Sequence, residues 1–178
     1  VLNKKIRNII YTAVFAALVF VAVRFLGITA GGGYYHIGDA FIYLAGVCLP
    51  FPYASAAGAI GGSLANLTVP AAVQFAPFTF VIKACAAACF SNKTPKILCA
   101  RNFIAIAAAS VITVAGYGAA YIILFGRGGL VNSYGDFIQV VLNGVIFITL
   151  GVAADKTNLL FSLRKEKSKQ KRNETIFK

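Results

Sequence analysis

A chain of 178 residues that is 59% hydrophobic and only 12% charged, with a mean hydropathy of +0.78, has too few charges to coat a soluble globule and requires lipid around it. Its formal charge of +12, from 17 Lys and Arg against 5 Asp and Glu, raises nucleic acid as a partner. The basic residues, however, cluster at Lys4, Lys5 and Arg7, at Lys93, Lys96 and Arg101, and from Arg164 to Lys178, beside apolar stretches almost free of charge, which is the positive-inside pattern of a membrane protein rather than a duplex-binding patch.

The apolar stretches are long, without the short alternating segments of an outer-membrane barrel, so α-helical spans are expected. The first helix runs from about Ile6 to Leu26. Its apolar run is long for the core of a signal peptide, so a retained helix is predicted. Ala13, Ala16 and Ala17 lie in its first half, and Arg24 near its end can snorkel. The glycines at 31 to 33 disfavour helix and predict an external loop through Tyr34, Tyr35 and His36, a plausible lid, before Asp39 starts the second helix.

That helix, about Asp39 to Leu49, ends at Pro50-Phe51-Pro52, read as a tight turn. The third, Tyr53 to Leu67, repeats small residues at every fourth position, Ala54, Gly58 and Gly62, and so should pack closely on protein. Pro70 and Pro77 mark an outer connection that, with its flank, contains Asn66, Thr68 and Gln74. The fourth helix, Phe78 to Phe90, carries Lys83 inside the hydrocarbon zone, and Ser91 to Lys96 form a basic loop. A fifth helix, Asn102 to Leu124, a loop around Gly126 to Gly135, and a sixth helix from Asp136 to about Ala154 complete the pass. The expected fold class is all-α: a polytopic membrane protein with six transmembrane helices in one bundle over residues 1–160, both termini cytoplasmic, followed by a basic tail at 161–178 that can meet anionic lipid. A five-span version with a re-entrant second and third helix places the tail outside, against the charge pattern.

No catalytic motif is present. A phosphate-binding loop followed by Lys-Ser or Lys-Thr is missing, and His36 is the only histidine. Cys48, Cys85, Cys89 and Cys99 read as small buried hydrophobes; Cys85 and Cys89 share a helix face but lack acidic or histidine companions for a metal. No cofactor is implied. The polar residues gather instead towards one side of the bilayer: Tyr34, Tyr35, His36 and Asp39; Asn66 and Gln74; Tyr117 and Tyr121; and Asn132, Asp136, Gln139 and Asn143. An aromatic-walled pocket with a few amides suits a small, partly aromatic ligand, although the tyrosines also suit interface anchors. Lys83 should face the bundle interior and pair with Asp39, Asp136 or a ligand carboxylate or phosphate, snorkelling being its alternative; Asp39 can equally serve as a helix cap.

The stretches His36 to Gly46, Gly58 to Asn66 and Pro77 to Lys83, in that order and spacing, resemble the substrate-binding S components of energy-coupling-factor (ECF) vitamin transporters. The resemblance implies a six-helix, non-catalytic subunit of the bacterial cell membrane. Such a subunit captures a vitamin from outside and works with a membrane coupling subunit and two ATPases. It implies that Ala13 and Ala17 match the Ala-x-x-x-Ala element that contacts the coupling subunit, with Gly58 and Gly62 nearby. It also implies that Tyr34, Tyr35 and His36 form a lid, and that Lys83, Tyr117, Tyr121 and Asn143 line the site. Where relatives commonly have Asp, this chain has Asn66, so a charge there is lost. Lys83 favours an anionic ligand and the tyrosines a ring such as a pyrimidine or pyridine, leaving thiamine precursors, pyridoxine-like compounds and pantothenate. A stand-alone secondary transporter and a membrane scaffold are the alternatives; no internal repeat supports the first.

Overall fold

Small residues set how closely the helices of this protein approach one another. The computed structural model describes residues 3–30, 33–93 and 96–157. Among them are six α-helices: α1 (Lys4–Phe25), α2 (Gly38–Cys48), α3 (Phe51–Leu67), α4 (Ala76–Ala88), α5 (Ala100–Phe125) and α6 (Ser133–Lys156). They follow the predicted order closely. Phe51 and Pro52 belong to the first turn of α3 rather than to a separate turn, because proline lacks a donor that the first turn of a helix does not use. Short 3₁₀ turns, Val73–Phe75 and Arg127–Asn132, lead into α4 and α6. Gly126 closes α5 at a φ of 70°, a backbone conformation that glycine adopts without strain.

The segment read as an irregular loop contains an antiparallel ribbon, β1 (Ile28–Ala30) paired with β2 (Gly33–Tyr35), with Ile28 opposite Tyr35. It closes one end of the bundle, called here the hairpin end. The basic tail at 161–178 and its lipid contact lie outside the described residues.

α3 packs between α1 and α4 and uses two faces to do so. Gly58 and Gly62 face α2 and α4: a Cβ at Gly58 would stand 3.1 Å from both Ile42 Cγ2 and the Lys83 carbonyl oxygen, and one at Gly62 would stand 3.1 Å from Thr79 Cγ2. Gly61 faces α1, against the Ala16 backbone and Val19. These spacings confirm the close packing that the small-residue repeat predicts. Gly58 and Gly62, expected to lie near a contact with the coupling subunit, are both buried inside the bundle. α2 is buried nearly all round and contributes Ile42, Tyr43, Ala45 and Val47 to the core. Tyr43 stacks on Phe90 at 4.8 Å between ring centroids and meets Phe147 edge-on at 5.9 Å.

At the opposite end, Asp155 of α6 accepts hydrogen bonds from the backbone N–H groups of Ile97 and Leu98, each at 2.9 Å, and Asn102 donates to the Ile97 carbonyl at 2.8 Å. The connection between α4 and α5 is thereby tied to α6.

Three helical segments, Lys4–Phe25, Ala100–Phe125 and Arg127–Lys156, are long and apolar enough to cross a membrane. Their outward faces carry large exposed hydrophobics such as Val14, Ile104, Val111, Ile123, Phe137 and Ile138, a continuous apolar surface that water does not tolerate and hydrocarbon does. The cysteines depart from expectation. Cys48, Cys89 and Cys99 are half-buried, and Cys85 is exposed on the stripe of α4 that also carries Pro77 and Val81, pointing away from the bundle. In lipid such a position is still apolar, so the residue type fits although the burial does not.

Gly58→Val should push its side chain against the α4 backbone and lower the stability of the detergent-purified protein by about 1–3 kcal/mol, measured as a fall in thermal midpoint. Gly128→Ala, where a Cβ meets nothing within 4 Å, should leave the midpoint unchanged.

Candidate ligand-binding site

Five helices deliver polar side chains to the hairpin end, and the heptad-like spacing of each fixes which ones point together. On α4, Thr79 and Lys83 are one turn apart on the buried face; on α5, Tyr117 and Tyr121 repeat that spacing. Asn66 comes from the end of α3, Asp39 from the first turn of α2, and Asp136, Gln139 and Asn143 from successive turns of α6.

Lys83 and Asp39 form a buried ion pair. Nζ donates to Oδ2 at 2.8 Å and lies 2.7 Å from Oδ1, with both side chains 1% exposed. Of the partners the sequence allowed, Asp39 is therefore the one used. Lys83 does not snorkel, and Asp39 is not the N-cap of α2, a position held by Ile37. Nζ also lies 5.0 Å from the centroid of the Tyr117 ring, a cation–π contact. Tyr117 Oη shares a hydrogen bond of 2.9 Å with Thr79 Oγ1, which accepts another from Asn66 Nδ2 at 2.7 Å. One connected network thus joins α2, α3, α4 and α5.

Asn143 is fully buried and works as a clamp. Its Oδ1 accepts from the Ala40 N–H at 2.9 Å, capping α2 from a different helix, while its Nδ2 donates to the carbonyls of His36 at 2.9 Å and Gln139 at 2.8 Å. Gln139 Oε1 accepts from the His36 N–H at 3.2 Å, and His36 Nδ1 accepts from the Gly38 N–H at 3.3 Å. A ring nitrogen that accepts is unprotonated, and burial of His36, in the loop before α2, holds its imidazole down to about 4. The ribbon is fastened on both sides: Tyr34 Oη donates to the Val23 carbonyl of α1, and the Tyr35 ring lies where a Cβ at position 135 of α6 would be, so Gly135 makes room for it. Burial also pushes the Tyr34 hydroxyl above its usual range.

These elements enclose a cavity of about 290 Å³ lined by Tyr34, His36, Asn66, Gln74, Tyr117 and Tyr121 among the expected residues. Asp39 and Lys83 are absent from its lining, and so are Tyr35 and Asn143, which hold the structure behind it. Asn132, Asp136 and Gln139, noticed in the sequence only as part of the polar gathering, line the cavity, together with Ala71, Ala72, Phe75 and Phe125, which sequence reasoning missed. Phe75 is central to the aromatic wall, with its ring centroid 6.2 Å from Tyr117, 5.1 Å from Tyr121 and 6.1 Å from Phe125. A phenylalanine in a connection between prolines carries no local signal of such a role. Among the described residues no group of three or more His, Cys, Asp or Glu side chains could hold a metal ion.

A membrane-embedded helical bundle with an aromatic and amide-lined cavity at one end is the architecture of a small-molecule-binding membrane subunit. The family model described as "ECF-type riboflavin transporter, S component" matches residues 3–156, and the chain belongs to that family. It is accordingly a non-catalytic, vitamin-binding subunit of an ECF importer, a class that works with a transmembrane coupling subunit and ATPases. No curated protein matches the chain.

Lys83→Met leaves the Asp39 carboxylate buried without its cation and should cost about 3–5 kcal/mol, whereas the Lys83→Met, Asp39→Asn double variant should recover a large part of that loss. Thermal midpoints of wild type, both single variants and the double variant measure the coupling; additive losses would show that the pair is not a unit.

Proposed function

We propose that the chain binds riboflavin at the hairpin end of the bundle, facing the outside of a bacterial cell membrane that it crosses six times with both termini in the cytoplasm. What carries the ligand assignment is the cavity: four aromatic rings from the 3₁₀ turn and α5 beside the amides of Asn66, Gln74, Asn132 and Gln139. Riboflavin presents a flat tricyclic ring for the aromatic wall, carbonyls and ring nitrogens for amides, and an uncharged polyol chain. The family's printed ligand points the same way. The cavity volume of about 290 Å³ lies just below the roughly 300–1,000 Å³ common for small-molecule sites. Because Asp39 already neutralises Lys83, the expectation of an anionic ligand loses its basis, and pantothenate and phosphorylated vitamins lose support with it.

The distribution of basic residues supports the orientation. Among the described residues, Lys4, Lys5, Arg7, Lys93, Lys96, Arg101 and Lys156 belong to the end opposite the hairpin, whereas the hairpin end carries Arg24, Arg127 and the neutralised Lys83. Ala13 and Ala17 lie on the exposed face of α1 with Ile6, Ile10, Val14 and Val21, a smooth stripe on which a helix of the coupling subunit docks. Ligand reaches the cavity when the ribbon leaves its seats on Val23 and Gly135. ATP hydrolysis by the partner ATPases then drives reorientation and release, which needs a lower affinity in the inward state.

Riboflavin should quench on binding to the purified protein, and Phe75→Ala or Tyr117→Ala should weaken it by about tenfold or more, as expected for the loss of an aromatic anchor. Ala13→Trp should abolish uptake in cells carrying the complete transporter and leave binding by the isolated protein nearly unchanged; loss of both together would place Ala13 in the ligand site instead.

A further inference from the structure

Among the described residues, Asp136 is the one carboxylate that lines the cavity, and it has no ion-pair partner there. It stands in the first turn of α6, is 7% exposed, and its Oδ2 meets no hydrogen-bond donor. A buried carboxylate oxygen without a donor is costly, which makes it a place where a ligand donor is gained rather than exchanged for an existing partner. The other charges nearby offer an anion nothing: Lys83 is committed to Asp39 on both oxygens behind the wall, and the His36 ring nitrogen that accepts from Gly38 belongs to an uncharged imidazole. Among the described residues that line the cavity there is no Lys or Arg, so its formal charge is negative.

We propose that Asp136 is the specificity-determining residue of the cavity: its Oδ2 accepts a hydrogen bond from an O–H or N–H of an uncharged ligand, and its charge turns away the phosphate ester of the same molecule. A phosphate monoester brings about −1.5 to −2 charges at neutral pH. In a cavity walled by aromatic rings that charge would sit near a like charge. A hydroxylated or imide-bearing neutral ligand instead supplies the missing donor. This assignment rests on the riboflavin reading and adds to it which chemical form of the vitamin is taken.

The test is a pair of titrations, riboflavin and riboflavin 5′-phosphate, followed by quenching of flavin fluorescence on purified wild-type protein and on Asp136→Asn. Wild type should bind the phosphate ester about 100-fold more weakly than riboflavin, the size of effect that like-charge juxtaposition produces. Asp136→Asn should shrink that ratio at least about tenfold, mainly by gaining affinity for the ester. Asp136→Glu, which restores the charge, should return the ratio towards wild type. Should Asp136→Asn not fold, Asp136→Ser, which also removes the charge, should narrow the ratio in the same direction. An unchanged ratio in the charge-altering variant overturns the role of Asp136, as does wild type binding both forms equally. Wild type that binds neither flavin overturns the riboflavin reading itself.

Discussion

A lysine ammonium and an aspartate carboxylate meet between α2 and α4 with almost no water, and much of the polar architecture is arranged around them. Taking two ions into a low-dielectric bundle costs several kcal/mol for each, and only close geometry and further contacts offset it. Lys83 gains those contacts from both oxygens of Asp39 and from the face of Tyr117. Tyr117 is in turn held by Thr79, and Thr79 by Asn66, so a charge in one helix orients side chains in three others. The carboxylate end is fixed just as firmly. Asp39 occupies the first turn of α2, and the cap of that turn comes from Asn143 of α6.

The same arrangement explains why the cavity lies where it does. A network satisfied from within can serve as a floor without needing a ligand to complete it, which leaves the amides and the aromatic wall above it free for recognition. The ribbon is held beside this space because its exit is bonded to α6 through the His36 backbone, Gln139 and Asn143, while its tyrosines are seated on α1 and α6. The cap of α2 and the seat of the ribbon share α6, and α2 carries Asp39, so movement of α6 would be felt at the ion pair as well.

The three carboxylates among the described residues divide the work by position. Asp39 neutralises the buried lysine, Asp155 ties the α4–α5 connection to α6 at the opposite end, and Asp136 faces the cavity. The small residues of α3 make this crowding achievable: Gly58, Gly61 and Gly62 let α1, α2 and α4 approach close enough for Lys83 to reach Asp39.

Hydropathy, helix order, the approximate ends of all six helices and the interior position of Lys83 were legible in the sequence, because each follows from local composition and from the cost of charge in hydrocarbon. The family was legible through motifs spread along the chain, and Tyr34, His36, Asn66, Gln74, Tyr117 and Tyr121 were placed in the cavity lining by their shared depth. Which carboxylate meets Lys83, 44 residues away, and that Asn143 caps a helix 103 residues earlier rather than lining a wall, depend on which faces of distant helices meet. The same holds for Phe75 in the aromatic wall, for Gly58 and Gly62 turned inward, and for Cys85 turned outward. Helical periodicity says that a helix has a buried face; packing against particular neighbours decides what that face touches, and only the tertiary structure contains that information.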